Sequence, residues 1–370
     1  MKISCSQSAL QNSVNVVSKA VPGKTPMPIL ECILLKTENN VLKLTASNMD
    51  LGIESIVTDT IVEEEGYVAL DAKLFSDMVR NLPADTVYIE SDDQFHTTIR
   101  CGKAEYKIIG KSGQDFPKLP IVKIDEPVVL SQLTLKNIIT QTSFAAAVNE
   151  ANKMMTGVFM EIHENQMKMV ALDGHRISIR VIELKQPYPD HSAVIPGKSL
   201  NEIVKNLSSE QQNEAMIYFT ENQMIVDIEN TTMVVRLIDG EYFNYEQMIR
   251  AQFKTKVIIN RRELMEGINR ATLLVKEGDK KPVIINVTED KLELMGNSAV
   301  GTLKEDIPVV KEGNDLMIGF NPRFLLDALR VIDDEQVTMY LMDAKSPAFF
   351  KNDTETYNYI ILPVNFLNQR

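Results

Sequence analysis

DAKLFSDMVRNLP at 71–83, IPGKSLNEIVKNLS at 195–208 and FNPRFLLDALRVID at 320–333 are three versions of one amphipathic phrase, and their spacing decides the fold. Apolar residues recur at helical intervals in each: Leu74, Phe75, Met78, Val79 and Leu82; Leu200, Ile203, Val204 and Leu207; Phe324, Leu325, Ala328, Leu329 and Ile332. Leu82, Leu207 and Ile332 lie 125 residues apart, and Phe75, Leu200 and Phe324 are separated by 125 and 124. Self-similarity at a fixed period marks an internal repeat.

Two other elements keep the period. VLKLTASNMDLGIES (41–55), MKMVALDGHRISIR (167–180) and LELMGNSAVGTLKE (292–305) each read apolar strand, polar turn, return strand, the pattern of a β-hairpin, and Leu44, Met169 and Leu294 are spaced by 125 and 125. An amphipathic helix precedes each hairpin, in SALQNSVNVVSKAV (8–21), SQLTLKNIITQTSFAAAV (131–148) and NRRELMEGINRATLLV (260–275). Leu10, Leu135 and Leu264 fall 125 and 129 apart, so one repeat has gained a few residues in a loop. The 370 residues thus divide into three α+β repeats, each strand, helix, several strands, helix, strands. Boundaries are expected near 120–128, where Pro117, Pro120 and Pro127 punctuate the chain, and near 249–255, giving domains 1–125, 126–250 and 251–370.

With 44% hydrophobic and 24% charged residues, 16 Gly and 15 Pro, the composition is that of globular chains and excludes disordered and collagen-like architectures. No apolar run approaches the roughly 18 residues of a membrane span. The opening MKISCSQSALQNSV lacks the basic and apolar regions of a secretory leader. Cys5, Cys32 and Cys101 are odd in number and far apart, which fits a reducing cytoplasm and makes a disulfide framework or zinc site unexpected. P-loop, GxGxxG, GxSxG and HExxH patterns are absent, so ATP use, dinucleotide binding and the common hydrolases lack support, and no cofactor is expected.

Helices on one side of a sheet, repeated in series, make an arc with exposed edge strands, and a head-to-tail interface that closes on itself turns an arc into a ring. Two copies would place twelve helices around the inside; at about 9–10 Å between axes the clear diameter is roughly 26 Å, enough for a DNA duplex. The net charge of -12, from 39 Lys+Arg against 51 Asp+Glu, argues against a uniformly basic nucleic-acid binder. Its distribution points the other way. Segments 6–24, 71–82, 131–148, 196–207, 260–275 and 321–332 together carry +6 in 89 residues, leaving -18 on the other 281. The cations are Lys19, Lys24, Lys73, Arg80, Lys136, Lys198, Lys205, Arg261, Arg262, Arg270, Arg323 and Arg330, while acid clusters at Glu63 to Glu65, Asp92 with Asp93, and Asp333 to Glu335 are expected in turns.

The chain resembles a known family at this point. The three repeats, the opening MKISCSQSAL with PMPILECILL (26–35), LDGHRIS (172–178), RLIDGEYFNYEQM (236–248) and YIILPVNF (359–366) together resemble the bacterial sliding clamp, the beta subunit of DNA polymerase III, over essentially the whole chain. That resemblance implies a homodimeric ring of six similar domains, helices inside and antiparallel sheets outside, which encircles double-stranded DNA without reading sequence. It also implies a pocket between the second and third domains for peptides of the replicative polymerase, the clamp loader and repair polymerases.

By position, the pocket would comprise Met155, Leu172, Gly174, His175, Arg176, Ile177, Phe243, Gln247, Met248, Ser346, Ile360, Leu362, Pro363 and Val364. The DNA-facing set would be Lys24, Lys73, Arg80, Asn149, Lys198, Lys205, Arg261, Arg270 and Arg323, and the ring seam would set Tyr106 and Ile108 against Leu273 and Leu274. Family members commonly carry Pro where this chain has Phe243 and a basic residue where it has Asn365, and the chain runs on from Phe366 to Arg370; these changes touch the pocket rim and leave peptide preference open. Two other readings stand beside the clamp: an enzyme with a site around His175 and Asp173, and a peptide-binding scaffold that no longer encircles DNA.

Overall fold

Each amphipathic segment folds as a helix because its apolar stripe has a sheet to pack on, and most begin at a polar cap. Ser6 accepts from the Ala9 amide at the start of α1 (Gln7–Val17), Asp71 from Leu74 before α2 (Ala72–Asn81), and Ser131 from Thr134 before α3 (Gln132–Ser143). Then follow α4 (Gly197–Val204), the single turn α5 (Glu246–Ile249), α6 (Arg261–Thr272) capped by Asn260, and α7 (Pro322–Val331) capped by Asn321. Leu10, Phe75, Leu135, Leu200 and Leu264 are buried, while Phe324 is half-buried and packs against the edge of its core, so all but one of these repeat positions read from sequence are fully core positions.

The chain is described from a computed structural model for residues 1–119, 126–149, 151–249, 252–274, 282–298, 301–352 and 354–366. They form two compact units, Met1–Leu135 with Lys198–Leu237, and Lys136–Gly197 with Ile238–Arg370. The expected boundaries at 125/126 and 250/251 involve Asp125, Arg250 and Ala251, which lie outside the described residues.

The first unit holds an antiparallel sheet ordered Ile61–Glu64, Lys2–Ser6, Thr86–Ser91, His96–Cys101, Ala104–Ile109. Its eight-stranded sheet runs Val128–Ser131, Glu214–Phe219, Gln223–Ile228, Thr231–Arg236, Leu51–Val57, Val41–Ser47, Cys32–Glu38, Tyr67–Asp71. The second unit has ten strands in the order Gly157–Leu172, Arg176–Pro196, Tyr357–Ile361, Ala348–Lys351, Gln336–Leu341, Thr255–Asn260, Gly301–Gly313, Lys291–Ser298, Val283–Val287, Leu316–Phe320.

All three expected hairpins pair, with Ser47 opposite Gly52, Leu172 opposite Ile177, and Ser298 opposite Gly301. Two sheets also cross repeat boundaries at equivalent joints: Leu51 and Gly52 pair with Val235 and Val234, as Arg176 and Ile177 pair with Ile361 and Ile360.

Several expectations are corrected. Leu74 is exposed, because Ala72, Phe75 and Val79 form the buried stripe of α2 and Leu74 falls beside it. The helix expected over 131–148 stops at Ser143: the Thr142 hydroxyl donates to the Ile138 and Ile139 carbonyls, and Ala145 and Ala146 close tighter three-residue bonds. Helix α6 stops at Thr272, short of the expected 275. Glu63 and Glu64 are strand residues rather than turn residues; Glu63 meets Lys2 at 2.8 Å across the pairing with Lys2–Ser6.

Candidate functional site

The second unit's joint is built on the turn Asp173–Gly174–His175. Gly174 has φ +82°, a left-handed conformation that a side chain would strain. Asp173 Oδ1 accepts from the amides of His175 and Arg176 at 3.0 and 3.1 Å, which fixes the turn, and its Oδ2 accepts from Arg176 Nε at 2.9 Å. The carboxylate is therefore committed to holding the turn and the guanidinium. His175 is exposed, its ring edge-on to Phe324 at 6.1 Å.

Arg176, only 9% exposed, is the anchor beneath the turn. It also donates to Asp327 at 2.7 Å and to the Phe144 carbonyl at 2.9 Å, and its guanidinium lies 4.3 Å from the Phe324 ring centroid. Burial opposes its charge, but Tyr359, Asp327 and Asp173 outweigh that cost and raise its pKa.

Strand alternation separates two cores. Tyr357, Tyr359 and Ile361 point into the core shared with α6 and α7, whereas Ile360 points to the opposite face. There Leu172, Ile177 and Ile360 form an apolar floor with Val170, Ile179, Tyr245 and Phe349, against which Met155, Phe159, Tyr242, Phe243, Ile249 and Tyr340 pack. Five expected pocket residues thus meet: Met155, Leu172, Ile177, Phe243 and Ile360.

Sequence reasoning missed the aromatics. Tyr242 stacks on Phe159 at 5.2 Å and stands edge-on to Phe243 at 5.5 Å. Burial pushes the Tyr242 hydroxyl far above its usual range and raises Tyr245 as well. Val170 and Ile179 were readable, lying two residues from Leu172 and Ile177 on the same strands.

The remaining expected residues lie outside this cluster. Gln247 and Met248 are exposed on α5, and Ser346 is held in its loop by its backbone N–H, which donates to Asp343 Oδ1 at 2.8 Å. Leu362 is 45% exposed and donates its amide to the His175 carbonyl at 2.9 Å. Pro363 and Val364 are half-buried, and Val364 N–H donates to the Gly319 carbonyl at 2.8 Å on the outer strand Leu316–Phe320. A Cβ on Gly319 would stand 2.8 Å from the Phe366 ring, so a glycine there lets the ring approach the strand closely and hold the tail.

Cations obey the period too. Lys73, Lys198 and Arg323 are each 125 apart, as are Arg80, Lys205 and Arg330, and all six are exposed. Within α2 and α7 the two cations are seven residues apart, hence on one face; Lys198 is in α4 and Lys205 follows it directly. The second of each pair meets an acid three residues earlier: Arg80 with Asp77 at 3.4 Å, Lys205 with Glu202 at 2.7 Å, Arg330 with Asp327 at 3.8 Å. The signal was present in the sequence as spacing, beyond the charge count.

Lys24 and Asn149 are exposed. Arg270 is exposed but forks onto Glu305. Arg261 is half-buried and donates to the carbonyls of Asp334 and Leu329 at 2.9 Å each, tying α6 to α7. Tyr106 and Ile108 lie on Ala104–Ile109, the end strand of its sheet, and Leu273 and Leu274 follow α6, Leu273 being 82% exposed.

The three repeats match three family models in order: the N-terminal domain of the DNA polymerase III beta subunit over 1–120, its central domain over 129–244 and its C-terminal domain over 246–365. The chain belongs to the bacterial sliding clamps. The beta sliding clamp of Bacillus subtilis is 33% identical, aligned over 98% of this chain and 99% of its own. A crystal structure from Eubacterium rectale, assigned to the DNA polymerase III beta subunit, is 53% identical with a TM-score of 0.96 and covers 99% of each chain. The Bacillus subtilis DNA polymerase sliding clamp structure has a TM-score of 0.95 at 33% identity and also covers 99% of each. The function of this clamp is that of a DNA polymerase processivity factor, built from three tandem clamp domains.

Proposed function

We propose that two copies of this clamp close head to tail into a ring that encircles duplex DNA, slides on it and tethers partner proteins through the apolar floor beside Arg176. The observation that carries this reading is the recurrence of Lys73/Arg80, Lys198/Lys205 and Arg323/Arg330 at one period in the three repeats. Exposed ion pairs such as Arg80 with Asp77 are worth about 0–1 kcal/mol, so these cations exchange an acid for a phosphate at little cost. Each contact is weak and carries no base readout, which suits sliding. Arg261 supports α6 and α7 from within rather than touching DNA.

Two open edges support the closure. Ala104–Ile109 ends its sheet, and among the described residues Gly301–Ile307 pairs on one side only, with Leu292–Ser298. Tyr106 and Ile108 would meet Leu273 and Leu274 beside that seam. The domains are 1–125, 126–250 and 251–370. The clamp acts in the cytoplasm with no catalytic step and no cofactor: Asp173 holds Arg176 and the turn. No described helix is long and apolar enough to cross a membrane.

The peptide site takes segments of the Gln-Leu-x-Leu-Phe type from the polymerase, clamp loader and repair polymerases, its apolar floor receiving the Leu and Phe side chains. The test of the ring is retention of the loaded clamp on nicked circular DNA against the same DNA linearised. Retention on the circle and loss from linear ends is expected, with a solution mass twice the chain's 41.7 kDa; equal retention on both overturns the reading.

A further inference from the structure

The first unit contains a cavity of about 380 Å³ at the joint where Leu51–Val57 pairs with Thr231–Arg236. Bond by bond it repeats the joint beside Arg176. Asn48 Oδ1 accepts from the amides of Asp50 and Leu51 at 3.0 and 2.8 Å, as Asp173 does from His175 and Arg176. Met49 has φ +75° where Gly174 has +82°. The Arg236 amide donates to the Asp50 carbonyl at 2.9 Å, as Leu362 donates to His175 at the same distance. The cavity-lining residues Ser47, Met49, Asp50, Gly52 and Lys118 each stand 125 positions before Leu172, Gly174, His175, Ile177 and Phe243; Val234 and Arg236 stand 126 before Ile360 and Leu362.

We propose that this cavity is a second peptide-docking site, and that its ligand is an extended acidic segment of a partner protein. The inference rests on the peptide-site reading above for the equivalent joint. Its chemistry follows from what has replaced the apolar walls. Lys118 stands where the other site has Phe243, and Arg236 where it has Leu362; both are exposed, and among the described residues neither is in an ion pair.

Asp50 at the rim offsets one of the two charges, leaving the pair net cationic in a chain of net charge -12. Leu119 occupies the space over Gly52, where a Cβ would lie 2.2 Å from its side chain. With Met49 and Val234 it gives an apolar foothold. A ligand there gains by pairing carboxylates with Lys118 and Arg236 around a single apolar side chain.

The experiment uses the full-length clamp and a fluorescein-labelled peptide of sequence Glu-Asp-Leu-Glu-Asp, read by fluorescence anisotropy at low and physiological salt. Saturable binding is expected, weakened by salt and reduced about tenfold or more by Lys118→Glu with Arg236→Glu. The same double variant should bind a Gln-Leu-x-Leu-Phe peptide as the wild type does, which shows that it is folded and that the other site is intact. No saturable binding by the wild type, binding unchanged by the double variant, or displacement of the peptide by a short DNA duplex would each overturn the proposal. Failure of the Gln-Leu-x-Leu-Phe peptide to bind the wild type would instead strike the reading on which it rests.

Discussion

Replacing Arg176 by Met keeps the bulk of the side chain and removes its charge and its donors. Two of its hydrogen bonds go to carboxylates, at 2.9 Å to Asp173 and 2.7 Å to Asp327, and one to a carbonyl. Charge-assisted bonds of this kind contribute about 1.5–3 kcal/mol each. The larger effect is what remains: Asp173 and Asp327, with side chains 16% and 24% exposed, lose the cation between them. Stranding one side of a buried pair costs about 3–5 kcal/mol. Arg330, 3.8 Å from Asp327, and the turn amides on Asp173 recover part of this, which places the net cost near the lower end, about 3 kcal/mol.

Two compact units do not unfold as one transition by default, so the readout is local: amide hydrogen exchange of peptides spanning Arg176–Pro196, with Lys2–Ser6 as the internal reference. Exchange in the first should accelerate about a hundredfold, and the reference should not change. Adding Asp327→Asn to Arg176→Met should recover about 1 kcal/mol, because the stranded charge is gone. Exchange within about fivefold of wild type, or strictly additive costs in the double variant, would refute the anchor role.

Phe366→Ala should free the tail that carries Leu362 to Val364 and weaken Gln-Leu-x-Leu-Phe peptide binding about tenfold, with the melting temperature unchanged and Phe366→Tyr retaining affinity. Gly319→Ala should act in the same direction by lifting the ring, and unaltered affinity in both would dismiss the pinning contact. Burial pushes the Cys5 thiol up to about 12. The native state therefore holds a proton that the unfolded chain releases near its ordinary value of about 8.5. The stabilisation is full below that pH and is lost as pH rises toward 12, where the folded thiol also ionises. A disulfide exchange reagent at pH 8 should leave Cys5 unreacted until the chain unfolds; rapid native-state modification would count against it.

Periodicity was legible because each repeat buries the same positions: Leu44, Met169 and Leu294 are all fully buried. The family phrases located the turn at Asp173 and the tail at Leu362 for the same reason, since both depend on local backbone chemistry. The aromatic lining was hidden, because Tyr242 and Phe159 are far apart in sequence and meet only once the covering segment folds back on the strand. Arg261 was misleading: a basic residue in the first turn of a helix reads as solvent-facing, and only the carbonyl ends of neighbouring segments show otherwise. Helix ends were overextended at Ser143, where Ala145 and Ala146 turn to the carbonyls of Thr142 and Ser143 in tighter three-residue bonds that the apolar pattern does not signal. Joints between repeats were beyond sequence reasoning, since nothing local to either strand names its partner across a boundary, even though the two joints repeat once the pairing is seen.

The middle repeat is divided between the two units, and this sets a schedule for synthesis. Leu51–Val57 emerges early from the ribosome, but its neighbour Thr231–Arg236 is made roughly 180 residues later. At about 5–20 residues per second the wait is on the order of ten to forty seconds. For that interval the nascent chain carries an open apolar edge that no amount of local folding can close. The order of the chain thus leaves the edge of Leu51–Val57 without its native partner until Arg236 clears the exit tunnel.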